Sequence, residues 1–166
     1  MGTNAVQRDA TAEAVSANVR RLRTQQNLGL RGLSTKLGDV GRPLGHSAVD
    51  QIEKGTRRVD VDDLMALAVA LGVSPVTLLM PAVDSVGPQE HVEATAVPSP
   101  VTAEHLWGWL TAKYPLGEMS LLAFAEQSWP GWERQKWTAQ LTAARKRIDD
   151  QLYGRVGAEG VSNGDD

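Results

Sequence analysis

Apolar residues in the first half of the chain recur at spacings of three and four. Val15, Val19 and Leu22 share a face while Arg20, Arg21 and Arg23 take the others, which predicts a helix from about Ala12 to Gln26, ended by Asn27. Leu33 and Leu37, four apart, predict a second helix over residues 30–37, with Gly38 as its C-terminal cap and Gly32 weakening it. Gly41 and Pro43 break the segment that follows. A third helix is then expected from Gly45 to Lys54, with Val49 and Ile52 as its apolar stripe and Gly55 as its stop. Asp60 is placed to cap a fourth, with Asp62 and Asp63 in its favourable first turn and Leu64, Leu67, Ala68 and Leu71 as its buried face. Ser74 and Pro75 open a short fifth helix that Pro81 stops.

Residues 81–100 contain Pro81, Pro88, Pro98 and Pro100 and show no period, so they are expected to be a linker. The remainder is again helical in pattern. Thr102 can cap a helix through Leu106, Trp109 and Leu110, a second is expected over 119–129, and a third over 132–153. In the last, Trp137, Leu141, Ala144, Ile148 and Leu152 fall on one stripe, which fits either a dimer interface or an ordinary core. No strand-like alternation persists, so the expected class is all-α. The expected domains are a flexible arm over 1–11, a five-helix domain over 12–80, the linker, a helical region over 101–153 and a disordered tail over 154–166.

Composition narrows the function classes. With 166 residues, 42% of them apolar, the chain can hold one generous domain or two small ones. The absence of cysteine excludes disulfides, thiolate nucleophiles and cysteine-ligated zinc. No export signal or membrane-length apolar run is present, and a cytoplasmic protein without membrane contact is expected. No phosphate loop, dinucleotide fingerprint or nucleophile elbow appears, so no enzyme and no cofactor is expected. His91 and His105 are far apart and lack a companion acid, so no metal site is expected either. Five tryptophans between Trp107 and Trp137 fit a core, with a partner or small-molecule effector surface as the alternative.

The net charge of −3 hides an uneven distribution. Residues 14–58 carry nine Lys and Arg against three acids, whereas residues 59–166 carry seven against fifteen. The basic front of an acidic chain is where an anionic partner would be met.

Four pieces in order and spacing carry a family resemblance: Val19-Arg20-Arg21-Leu22-Arg23, Leu33 to Gly38, Ser47 to Gly55 ending in Ile-Glu-Lys-Gly, and Asp63 to Leu79 with Leu-Ala-Val-Ala-Leu-Gly-Val-Ser-Pro. Over roughly residues 14–80 the chain resembles the Cro/repressor-type (XRE-type, lambda-repressor-like) helix-turn-helix regulators. Two departures stand out: the turn between Gly38 and Val49 is about five residues longer than the family's, and Gly29 stands where the family usually has a hydroxyl cap.

The resemblance implies a five-helix fold whose third helix enters the DNA major groove. Its base-reading positions fall on His46, Ser47 and Gln51; the amide of Gln51 suits an adenine edge, and His46 a guanine or a phosphate. Phosphate contacts are expected from Arg31, Arg42, Lys54, Thr56, Arg57 and Arg58, and Arg23 with Glu53 is expected to form a structural ion pair between the first and third helices. The expected function is sequence-specific binding of double-stranded DNA, as a repressor and homodimer on an inverted repeat. An antitoxin or adaptor whose C-terminal helices hold another protein is the alternative.

Overall fold

In a computed structural model the described residues are 9–81 and 83–153. They fall into two compact units that divide between Leu116 and Gly117. The tail expected over 154–166 and most of the expected arm lie outside the described residues.

The first unit opens with five helices: α1 (Ala10–Gln25), α2 (Leu30–Asp39), α3 (His46–Glu53), α4 (Val61–Leu71) and α5 (Pro75–Leu79). They enclose one core, in which Val19, Leu33, Leu37, Val49, Ile52, Leu67 and Leu78 are completely shielded from solvent. All of these but Leu78 are positions at which the spacing of three and four demanded an inward face. Burial of each such side chain contributes about 1.5–3 kcal/mol. The helix starts also follow local chemistry. Asp60 accepts from the Asp63 N–H at 2.7 Å to cap α4, and the Ser74 hydroxyl accepts from the Val76 N–H at 3.3 Å to cap α5, with Pro75 behind it.

The end of α2 differs from expectation. Gly38 stays helical, and the left-handed residue that closes the helix is Gly41, at φ +82°. Arg42 N–H donates to the Leu37 carbonyl at 2.9 Å and Gly41 N–H to the Gly38 carbonyl at 3.0 Å, the paired closure that a positive φ permits. Glycine is tolerated inside a helix, so of two glycines three residues apart it was the later one that turned.

Residues 81–100, expected to be a linker, carry structure. Strand β1 (His91–Val92) pairs antiparallel with β2 (Val101–Thr102), which runs into α6 (Ala103–Leu110). Met80, Val92, Ala103 and Leu106 form a second small core. Thr11 and Thr95 exchange backbone-to-hydroxyl hydrogen bonds of 3.2 and 2.9 Å, which tie this segment back to the start of α1. Two-residue strands are too short for alternation to show, and the prolines punctuate the segment without preventing it from packing. The described residues are mostly α-helical.

The second unit contains α7 (Leu121–Ser128), capped by the Ser120 hydroxyl, and the long α8 (Gly131–Tyr153). Trp129 and Trp137 meet edge to face with centroids 5.5 Å apart. Leu141 and Ile148 on α8 are exposed. No helix among the described residues is long and apolar enough to cross a membrane.

Asn18 joins the two cores. Buried on α1, it donates through Nδ2 to the carbonyls of Leu78 at 3.0 Å and Met80 at 2.7 Å. Asn18→Ala leaves both carbonyls without that donor and should lower unfolding stability by about 1–3 kcal/mol in a urea titration. A loss below about 0.5 kcal/mol would mean that the carbonyls are satisfied otherwise.

Candidate nucleic-acid interface

Helix α3 buries Val49 and Ile52 completely and turns His46, Ser47 and Gln51 to solvent. Its N-cap, Gly45, brings no side-chain hydrogen bond, so the first turn of the helix has no side-chain cap. Two apolar anchors per two turns give a one-sided helix whose other faces carry only polar chemistry.

The end of α3 is closed by Gly55 at φ +66°. There the Gln51 carbonyl accepts from the N–H groups of Thr56 at 2.8 Å and Arg57 at 3.2 Å and from the Thr56 hydroxyl at 3.2 Å. The loop therefore folds back over the last turn and keeps Thr56, Arg57 and Arg58 beside the helix that carries Gln51. Thr56 and Arg58 are exposed, as is Arg31 on α2. Lys54 reaches one turn back to Asp50 at 2.6 Å, an exposed pair of small energetic weight.

Arg23 of α1 and Glu53 of α3 meet in two parallel hydrogen bonds, Nε to Oε1 at 2.5 Å and Nη2 to Oε2 at 2.8 Å. The Arg23 Nη1 also donates to the Leu28 carbonyl at 2.7 Å, so the guanidinium ties the α1–α2 turn to the end of α3. The pair is largely dry, with side-chain exposures of 16% and 6%. Hydrogen bonding to Glu53, helped by the charges of Glu53 and Asp50, holds the Arg23 pKa above the usual guanidinium value despite the opposing effect of burial.

The long turn before α3 is fixed rather than loose. Leu44 is buried, and its carbonyl accepts from the Ser34 hydroxyl of α2 at 2.6 Å. Arg42 in the same turn donates from Nε to Asp63 Oδ1 at 2.8 Å, and Arg57, beyond α3, donates from Nη2 to Asp63 Oδ2 at 2.8 Å. The hydrogen bond to Asp63 raises the Arg42 pKa, with the charges of Asp63, Asp60 and Asp62 adding to it. Two of the six expected phosphate-contacting residues are thus joined through one buried carboxylate.

By its position at the start of α4, Asp63 is expected only as a favourable first-turn charge. Yet Asp63, Leu67 and Leu71 stand four apart, so the period that buries the two leucines also turns Asp63 inward. An acid on a buried stripe requires cationic partners, and that signal could have pointed to Arg42 and Arg57.

Residues 19–78 match the model of the helix-turn-helix family. Among solved structures, the chain is similar to the restriction-modification controller protein C.AhdI from Aeromonas hydrophila, with 30% identity over 42% of this chain and 98% of that one and a TM-score of 0.37. It is similar to the DNA-binding domain of BldD, with 36% identity over 44% and 99% of the two chains and a TM-score of 0.38. It is also similar to the clp gene regulator ClgR from C. glutamicum, with 24% identity over 49% and 100% and a TM-score of 0.40. No curated protein matches.

Glu53→Ala strands Arg23 without its carboxylate and should lower stability by about 3–5 kcal/mol in thermal or chemical unfolding. Unchanged unfolding accompanied by loss of DNA binding would contradict a structural role for the pair. Because the folded-state pKa of Arg23 is raised, the stability linked to that shift is complete below the usual guanidinium range and is lost only above it. The Arg23 shift should therefore add no slope to stability between about pH 6 and pH 9.

Proposed function

The chain belongs, through residues 19–78, to the XRE-type helix-turn-helix family, and on that premise we propose that it is a sequence-specific DNA-binding transcriptional regulator that inserts α3 into the major groove. The observation that carries the reading is the division of α3: two side chains wholly buried, and His46, Ser47 and Gln51 facing out from a helix gripped by Arg23 on α1. In this reading Gln51 reads an adenine edge, while His46 and Ser47 reach bases or phosphates from the first turn. Arg31, Arg42, Lys54, Thr56, Arg57 and Arg58 contact phosphates and supply affinity without sequence information.

We further propose a repressor acting as a homodimer on an inverted repeat with half-sites about 34 Å apart. One helical domain offers few base contacts, and a second copy doubles them. Two apolar faces support a second copy. Val61, Met65 and Val69 are exposed at four-residue intervals on α4, and Leu141 and Ile148 are exposed seven residues apart on α8. The α8 face equally suits an adaptor that holds a different protein. A stoichiometric partner retained through purification would favour that reading, and a self-associating pure chain the homodimer.

Selection of bound fragments from random DNA tests the proposal. The expected result is an inverted repeat bound with an affinity that falls steeply with salt. Gln51→Ala should relax preference at one base pair per half-site by about 1–3 kcal/mol. Arg58→Ala should weaken all sequences alike and reduce the log–log salt slope by about one per subunit. A chain that selects nothing at low ionic strength would refute the proposal.

A further inference from the structure

A carboxylate taken out of water must be neutralised by protons or by cations that hydrogen-bond it. Asp63 of α4 is 1% exposed, and its oxygens are divided between arginines from the two sides of α3. Oδ1 takes Arg42 from the turn before the helix, and Oδ2 takes Arg57 from the loop after it. One carboxylate on a neighbouring helix therefore holds both flanks of the segment that carries His46, Ser47 and Gln51.

The two guanidinium groups are not used up by this contact. Arg42 gives Nε to Asp63 and Nη2 to Asp60 at 3.1 Å, and among the described residues its Nη1 has no partner. Arg57 gives only Nη2, and among the described residues its Nε and Nη1 have none. Side-chain exposures of 39% and 34% leave both groups open to a ligand on the outer side. A guanidinium held by one edge presents its remaining donors in a fixed direction, and it loses less rotamer freedom on meeting a phosphate than a free side chain does.

We propose that Asp63 is a positioning residue for DNA binding, which holds Arg42 and Arg57 as a rigid pair of phosphate-binding arms on either side of α3. The proposal rests on the reading of α3 as the recognition helix. Its rival is that Asp63 merely neutralises the two arginines and withholds them from DNA. The two differ in sign. Removing the negative charge should strengthen binding if Asp63 withholds the arginines and weaken binding if it aims them.

The test uses the full chain and a duplex recovered from random DNA with the wild-type protein. Fluorescence anisotropy is followed across a salt series at a temperature where circular dichroism shows every variant folded. Asp63→Asn, close in shape but uncharged, should weaken binding about tenfold and flatten the log–log salt slope by about one to two. In an Arg42→Ala, Arg57→Ala background the same substitution should have no further effect on the slope. Should Asp63→Asn not fold, the Arg42→Lys, Arg57→Lys chain keeps both charges and Asp63 but lacks the planar fork, and it should also bind about tenfold more weakly. Tighter or unchanged binding by folded Asp63→Asn, or wild-type affinity in the double lysine variant, would overturn the proposal. Failure of the wild-type chain to bind any duplex would instead remove the DNA-binding reading beneath it.

Discussion

An eight-residue helix cannot persist alone in water, because nucleation fixes several residues for each hydrogen bond gained. Helix α3 therefore takes its shape from what grips it. Its strongest grip is the two-armed, largely dry contact between Arg23 and Glu53. Val49 and Ile52 supply the apolar anchoring, but two side chains alone leave rotation about the helix axis weakly determined. The planar guanidinium removes that freedom, since both of its bonds form only at one orientation of Glu53. Through Nη1 the same group also ties down the turn between α1 and α2. The outward placement of His46, Ser47 and Gln51 depends on that joint.

Around it, the charges of the first unit are arranged by depth. Asp63 lies at the bottom, Arg42 and Arg57 cover it, and Arg58 and Arg31 stand outermost. The acidic first turn of α4 serves two ends at once. Asp60 caps the helix through the Asp63 N–H, and Asp63 collects the flanks of α3. The net charge of the chain conceals this layering, because the acids that lower it include those that organise the basic surface.

Much of this was legible in the sequence. Spacings of three and four placed the first four helices, because burial of one face is the strongest constraint on a short helix in a small domain, and the Ser74-Pro75 start with the Pro81 stop placed the fifth. Leu33, Leu37, Val49 and Ile52 were assigned inward for that reason, and all four are fully buried. What escaped lay where local pattern is silent. Gly38 and Gly41 are equivalent as breakers, and only the hydrogen bonds to the carbonyls of Leu37 and Gly38 decide between them. The pairing of β1 with β2 involves two residues on each side, below the length at which alternation can be read. Asp63 was read by its position at a helix start, whereas its place on the stripe of Leu67 and Leu71 decides its role.

The outer face of α3 and its two flanks are the surface proposed to meet DNA, and nuclear magnetic resonance reads this residue by residue. A uniformly labelled full chain titrated with a duplex recovered from random DNA should show its largest shifts over residues 42–58, with the Gln51 side-chain amide among them. Changes confined to α8 or to residues 81–116, with α3 unmoved at saturating duplex, would contradict the account.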